Sequence, residues 1–196
     1  MIGNKDALRR IATAAVGVMA AGLALAAPAQ AYTDDVVGNY DDSPWFVYQK
    51  NWSSPLNSTL TAWVSVNGAR HRITMRAGSG NGNENDCTTN QGWLPDGNYS
   101  NNNDGSGDRD HFTHYYKDWG NSVVTGWVWD LGDKPCYNGS KYRTALFIHS
   151  QGTGGWSDSN YGSAGCVKIN QTDRSHLHTM FAASYGQSKG FLTVQS

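Results

Sequence analysis

Two short segments hold the residues best suited to covalent chemistry: Ile148-His149-Ser150, and Ser163-Ala164-Gly165-Cys166-Val167-Lys168. A thiol is a strong nucleophile only as thiolate, and a nearby imidazole is the usual way to make one at neutral pH. His149 and Cys166 lie 17 positions apart, too far for one turn and right for two elements joined by a loop. This pattern is that of a Cys/His acyl-transfer site. The elements that must position it are a strand ending at His149 and a small-residue turn delivering Cys166.

The cysteine count sharpens the assignment. Residues 1–31 read as a secretory signal peptide: Lys5, Arg9 and Arg10 form a basic region, Ile11 to Ala27 an apolar one, and Ala29-Gln30-Ala31 a cleavage box before Tyr32. A membrane anchor fits this stretch less well, being short and poor in Leu and Ile. Export implies an oxidising compartment in which cysteines pair. The three cysteines are Cys87, Cys136 and Cys166. Cys87 and Cys136 both sit in Gly- and Asn-containing loops and are expected to pair, leaving Cys166 as a free thiol. The competing arrangement pairs Cys166 and makes it structural.

The 165 residues after the cleavage box suffice for one domain with its own core. They carry 12 basic against 15 acidic side chains, a net charge of −3, which argues against nucleic acid or an anionic membrane as partner. All eight Trp fall in this part. Such rings suit a sugar-bearing ligand, and they suit the core of a small β protein equally well.

Period-two alternation dominates the chain. Thr61 to Val66 and Ala69 to Met75 flank Asn67-Gly68, a strong hairpin signal. Residues 77–92 read as loop, and Pro95-Asp96-Gly97 as a turn leading into a strand at Tyr99. Further strands are expected at Val123 to Leu131, at Tyr142 to Ser150 with Ala145 to Ile148 buried, from Cys166, and at Phe191 to Val194. One helix is expected, capped by Thr172 or Asp173, with Leu177, Met180, Phe181 and Tyr185 on its apolar face and Gly186 as its stop. Residues 32–45, rich in Asp, read as a loose N-terminal segment. The fold class is therefore mainly β: a β-sandwich or mixed sheet with one C-terminal covering helix. The expected organisation is a leader over 1–31, a polar segment over 32–59 and a catalytic domain over 60–196.

In motif and in element order, residues 60–196 resemble the L,D-transpeptidase catalytic domain, the YkuD-like family of peptidoglycan enzymes. Pro95-Asp96-Gly97 with Tyr99 matches its Pro-x-Gly turn and strand, and Phe147-Ile148-His149 its strand ending in His. Ser163-Ala164-Gly165-Cys166-Val167-Lys168 matches its Ser/Thr-His-Gly-Cys-apolar-Arg/Asn signature with two departures. Ala164 stands where the family has His, and Lys168 where it has Arg or Asn, keeping the charge without the bidentate fork.

The resemblance implies a secreted, cell-wall-associated monomer that takes peptidoglycan tetrapeptide stems as donor and acceptor, needs no cofactor or metal, and is sensitive to carbapenems. Cys166 would then be the nucleophile and His149 the general acid/base for both half-reactions. Backbone N–H groups of Gly165 and Cys166 would hold the oxyanion, and Ser150 or Ser163 would orient the imidazole or bind substrate, roles that compete with simple turn duty. Water as acceptor would make the same site an L,D-carboxypeptidase trimming its own or a competitor's wall. A non-catalytic wall-binding module is the reading from another class.

The remaining histidines form weaker patterns. His111 and His114 flank Phe112 in an apparent polar loop and, with Asp110, lack an established metal-ligand spacing. His176 and His178 face different sides of the helix, and His71 reads as solvated. Asn102, Asp104, Gly105 and Asp108 echo a calcium loop without its terminal acid. Arg70, Arg72 and Arg76 share one strand face, read as exposed.

Overall fold

The computed structural model describes residues 32–101, 109–120, 124–150 and 158–196. The leader over 1–31, the calcium-like positions Asn102, Asp104, Gly105 and Asp108, and most of the loop after Ser150 lie outside them.

Strand β3 (Ser58–Val66) and strand β4 (Ala69–Ser79) form the expected hairpin. Asn67 and Gly68, at φ of 52° and 77°, supply the two left-handed residues of its turn. Along β3, Leu60, Ala62 and Val64 are fully buried, which fixes the register because a one-residue slip would expose all three.

The other strands are β1 (Tyr32–Gly38), β2 (Trp45–Gln49), β5 (Gly97–Ser100), β6 (Arg109–Lys117), β7 (Gly126–Pro135), β8 (Tyr142–Ser150), β9 (Val167–Ile169) and β10 (Phe191–Gln195). They form one mixed sheet in the order β5-β10-β2-β3-β4-β9-β8-β7-β6, with β1 on β4. The pairs β2/β10 and β8/β9 are parallel, and the rest are antiparallel. The free edge of β4 is shared: β1 pairs with Arg70 to Met75, and β9 with Ala77 to Ser79.

The sheet curls until its ends approach, so the architecture is a nearly closed sheet rather than a sandwich. Asn101, just past β5, stitches the seam. Its side-chain amide donates to the Phe112 carbonyl and its oxygen accepts the Phe112 N–H, both at 2.9 Å, standing in for a ladder pair. Inside, Phe46, Phe112 and Phe181 meet edge to face with centroids 5.1–6.1 Å apart. Phe181 and Leu177 belong to helix α1 (Gln171–Ala182), the single α-helix among the described residues, and bury its apolar face against the sheet. Burying a side chain such as Phe181 contributes about 1.5–3 kcal/mol.

Several expectations are corrected. Residues 32–45 are not a loose segment: β1 pairs along β4 and β2 begins at Trp45, main-chain pairing overriding the polar composition. His111 and His114 lie on β6, not in a loop; only Phe112 of that strand is buried, so no apolar alternation announces it. Of the strand expected over Val123 to Leu131, Val123 lies outside the described residues; β7 begins at Gly126 and runs past Leu131 through Gly132 and Pro135, where a bulge interrupts its pairing with β8. The helix is capped by Asn170, whose side chain accepts the Thr172 N–H at 2.9 Å, and Asp173 is fully buried instead. Tyr185 lies past the helix and is exposed, and Ala145 is exposed rather than buried.

Candidate active site

Strand β8 carries His149 as its penultimate residue, and parallel pairing with β9 sets Ile148 opposite Val167 and His149 opposite Lys168. Cys166 precedes β9 by one residue. Two-residue alternation therefore puts Phe147, His149, Cys166 and Lys168 on one face of the sheet. The two segments singled out by their chemistry are neighbours in space.

The sulfur sits against a bulge in β8. Its S–H donates to the Ala145 carbonyl at 3.5 Å, and the Phe147 N–H donates to the sulfur. Ala145 adopts a φ of 55°, and its N–H donates to Asp133 Oδ1 at 3.1 Å. A non-glycine residue there stores about 1–3 kcal/mol of strain, a feature that clusters at functional sites.

The turn before Cys166 is held from three sides. Ser163 Oγ accepts the N–H groups of Gly80 and Gly165, each at 3.0 Å, and donates to the Cys166 carbonyl at 2.6 Å. Ser79 Oγ donates to the Gly165 carbonyl and accepts the Leu94 N–H, both at 2.9 Å. Arg143, 5% exposed, donates to the Ala164 carbonyl at 2.6 Å and the Gly92 carbonyl at 3.2 Å, and reaches the carbonyls of Trp93 at 3.4 Å and of Asp86. One buried guanidinium thus ties the loop over residues 80–96 to the nucleophile turn. Gly165 has a φ of 130°, and a Cβ there would meet Arg143 Nη2 at 2.4 Å, so backbone angle and guanidinium both require glycine.

These contacts place the smaller residues. The Ser163 hydroxyl is engaged within the turn and bonds no ring atom of His149 among the described residues. The Gly165 N–H, expected at the oxyanion, is spent on Ser163. Ser150 is fully buried and reaches the His149 ring through its backbone.

Burial sets the charge state. Desolvation pushes the Cys166 thiol up to about 11, against the opposing pull of the Phe147 N–H, Lys168 and Arg143. Desolvation, with Lys168 adding to it, lowers His149 to about 4. At neutral pH the site therefore holds a thiol and an uncharged imidazole, not the thiolate its residue types suggest. Among the described residues His149 Nδ1 is buried without a hydrogen-bond partner, and Cys166 and His149 share no direct bond. The His149 ring lies 5.4 Å from that of Trp119, which stands edge-on to Phe147 at 5.5 Å. Lys117 Nζ lies within 5.4 Å of both the Trp119 and Phe147 ring centres. An aromatic and cationic wall thus flanks the histidine.

The expected pairing of Cys87 with Cys136 is present as a disulfide, and Cys166 is free. Asp110, His111 and His114 do not converge. Asp110 faces Lys134 at 3.5 Å, His111 bonds Asp130 at 3.0 Å, and His114 bonds His178 at 3.2 Å. Among the described residues, Asp86, Cys87 and Cys136 form the one cluster of metal-ligand types, and its sulfurs are consumed by the disulfide. His71 is not solvated: Asp34 bridges it to His176, each contact at 2.8 Å. Arg70 is buried beside Ser65, Arg72 pairs with Asp35, and Arg76 covers the Tyr161 ring.

Comparison of the chain with family models, with curated proteins and with solved structures returns no match. The functional reading therefore rests on the site. Among the described residues no helix is long and apolar enough to cross a membrane. Sequence reasoning missed Arg143, Ser79 and Trp119. Arg143 left a signal, a lone cation at the start of an apolar strand, where a buried charge must find partners. Ser79 and Trp119 left none.

Proposed function

We propose that the chain is an exported cysteine acyltransferase of the L,D-transpeptidase kind, acting on peptidoglycan stem peptides. The observation that carries this reading is the placement of the one free cysteine, at a glycine-requiring turn, on the same sheet face as a buried, uncharged histidine.

His149, as neutral base, takes the Cys166 proton while the sulfur attacks the carbonyl between the diamino acid and the terminal D-Ala. The C–N bond breaks, the imidazolium returns its proton to the departing D-Ala amine, and a thioester remains on Cys166. The amine of a second stem then attacks the thioester, loses a proton to His149, and restores the thiol. The Cys166 N–H is the remaining candidate oxyanion donor on the turn. Lys168 and Lys117 give the site positive charge suited to the stem's terminal carboxylate.

The test is intact-mass spectrometry of the purified protein with a disaccharide-tetrapeptide, beside Cys166→Ser and His149→Ala. A thioester adduct with released D-Ala, absent in the serine variant and strongly slowed in the alanine variant, is the expected result. A crosslinked dimer among the products marks a transpeptidase, and a trimmed tripeptide a carboxypeptidase. No adduct and no D-Ala from a folded protein would overturn the reading.

A further inference from the structure

A separate cavity lies against the loop that Arg143 clamps, sharing Asp86 and Trp93 with it. Trp52, Trp93 and Tyr137 line a cavity of about 370 Å3 together with Lys50, Asp86 and Asp96. That volume falls within the range of small-ligand sites. Two of its rings are open to solvent, Trp52 at 54% and Tyr137 at 75% exposure. Trp52 stands edge-on to the buried Trp93 at 4.7 Å, so an exposed ring has a fixed support. The Cys87–Cys136 disulfide joins the wall bearing Asp86 to the wall bearing Tyr137, and both Asp86 oxygens accept the Tyr137 N–H at 3.2 Å. The cavity is preorganised.

Its chemistry selects among ligands. The place a cationic ligand would take is filled from within: Lys50 Nζ lies 4.4 Å from the Trp93 ring centre and 2.7 Å from Asp96. An anion would meet Asp86, Asp96 and Glu84 against that one paired lysine. What remains is a neutral ligand with an apolar face for the rings and hydroxyl donors for the carboxylates, which describes a sugar ring.

We propose that this cavity is a glycan subsite that stacks a neutral sugar of an oligosaccharide on Trp52 and Tyr137. Asp86 joins it to the thiol site, since the residue lines the cavity and its carbonyl holds Arg143, which in turn holds the Ala164 carbonyl. The identity of the glycan as a wall strand rests on the acyltransferase reading; the sugar site itself does not.

The test is calorimetric titration of the purified protein, and of its Cys166→Ser variant, with chitotetraose and with cellotetraose. Saturable binding of either supports the subsite, and tighter binding of chitotetraose assigns it to N-acetylated wall-type glycans. Trp52→Ala should weaken binding about tenfold, with Trp52→Phe retaining most of it. No saturable binding of either sugar, or wild-type affinity in a folded Trp52→Ala protein, overturns the proposal. Sugar binding is measured without the thiol, so a protein that binds glycan and forms no thioester refutes only the acyltransferase. One that forms thioester and binds no glycan refutes only the subsite.

Discussion

Replacing Arg143 by Met should loosen the nucleophile turn without touching a reacting atom. Four carbonyls, of Asp86, Gly92, Trp93 and Ala164, converge on this guanidinium. Hydrogen bonds to a charged group are worth about 1.5–3 kcal/mol each, so four would total roughly 6–12 kcal/mol if they added. They share one donor group, and the contact to Trp93 at 3.4 Å is weak, so they do not add. Methionine also spares the desolvation of a buried cation, a cost of several kcal/mol. The net loss expected is about 2–4 kcal/mol, since each buried carbonyl left without a donor costs about 1–3 kcal/mol and the relieved desolvation offsets part of the sum. Urea denaturation measures it, with the disulfide intact in both proteins. Alkylation of Cys166 at fixed pH measures the local effect: with Ala164 released, the sulfur should gain solvent and react faster, because desolvation is the largest influence on the thiol and outweighs the lost pull of the guanidinium. Arg143→Lys should fall between the two, since an ammonium reaches fewer carbonyls at once. A stability loss below about 1 kcal/mol together with an unchanged alkylation rate would refute the clamp.

Two further outcomes follow from buried groups. Burial raises the Asp173 carboxyl to about 7, against the opposing pull of the Asn170 backbone N–H. The folded state then holds a proton that the unfolded state releases near pH 4, so stability falls as pH rises from about 4 to about 7. Asp173→Asn should remove that slope and stabilise the protein by roughly 2–4 kcal/mol at pH 8, with little effect at pH 4; equal effects at both pH values in thermal melts would exclude it. The rate of Cys166 alkylation by iodoacetamide should keep rising through pH 9 and 10, as a thiol at about 11 requires, and a plateau reached by pH 8 would contradict the burial argument.

Much of the fold was legible because alternation and turn chemistry act locally. The Asn67-Gly68 hairpin, the strand from Tyr142 to Ser150 and the final strand at Phe191 each follow from a few adjacent residues. Strands β1 and β6 were not legible, since what orders them is pairing with β4 and β7, and neither has an apolar stripe of its own. The cap at Asn170 was missed by two residues because Thr172 and Asp173 also have capping side chains.

The amino-acid sequence by itself determined the reactive inventory: a cysteine left over from a disulfide pair, a strand-borne histidine 17 positions before it, and a glycine between serine and thiol. Only the tertiary structure decided their state. Parallel pairing of β8 with β9 brings the two segments to one sheet face, and Arg143 and Ser79 lock the turn from elements distant in the chain. Burial then leaves thiol and imidazole uncharged, because the free energy of an ionised group depends on the solvent it loses, and residue spacing carries no record of that loss.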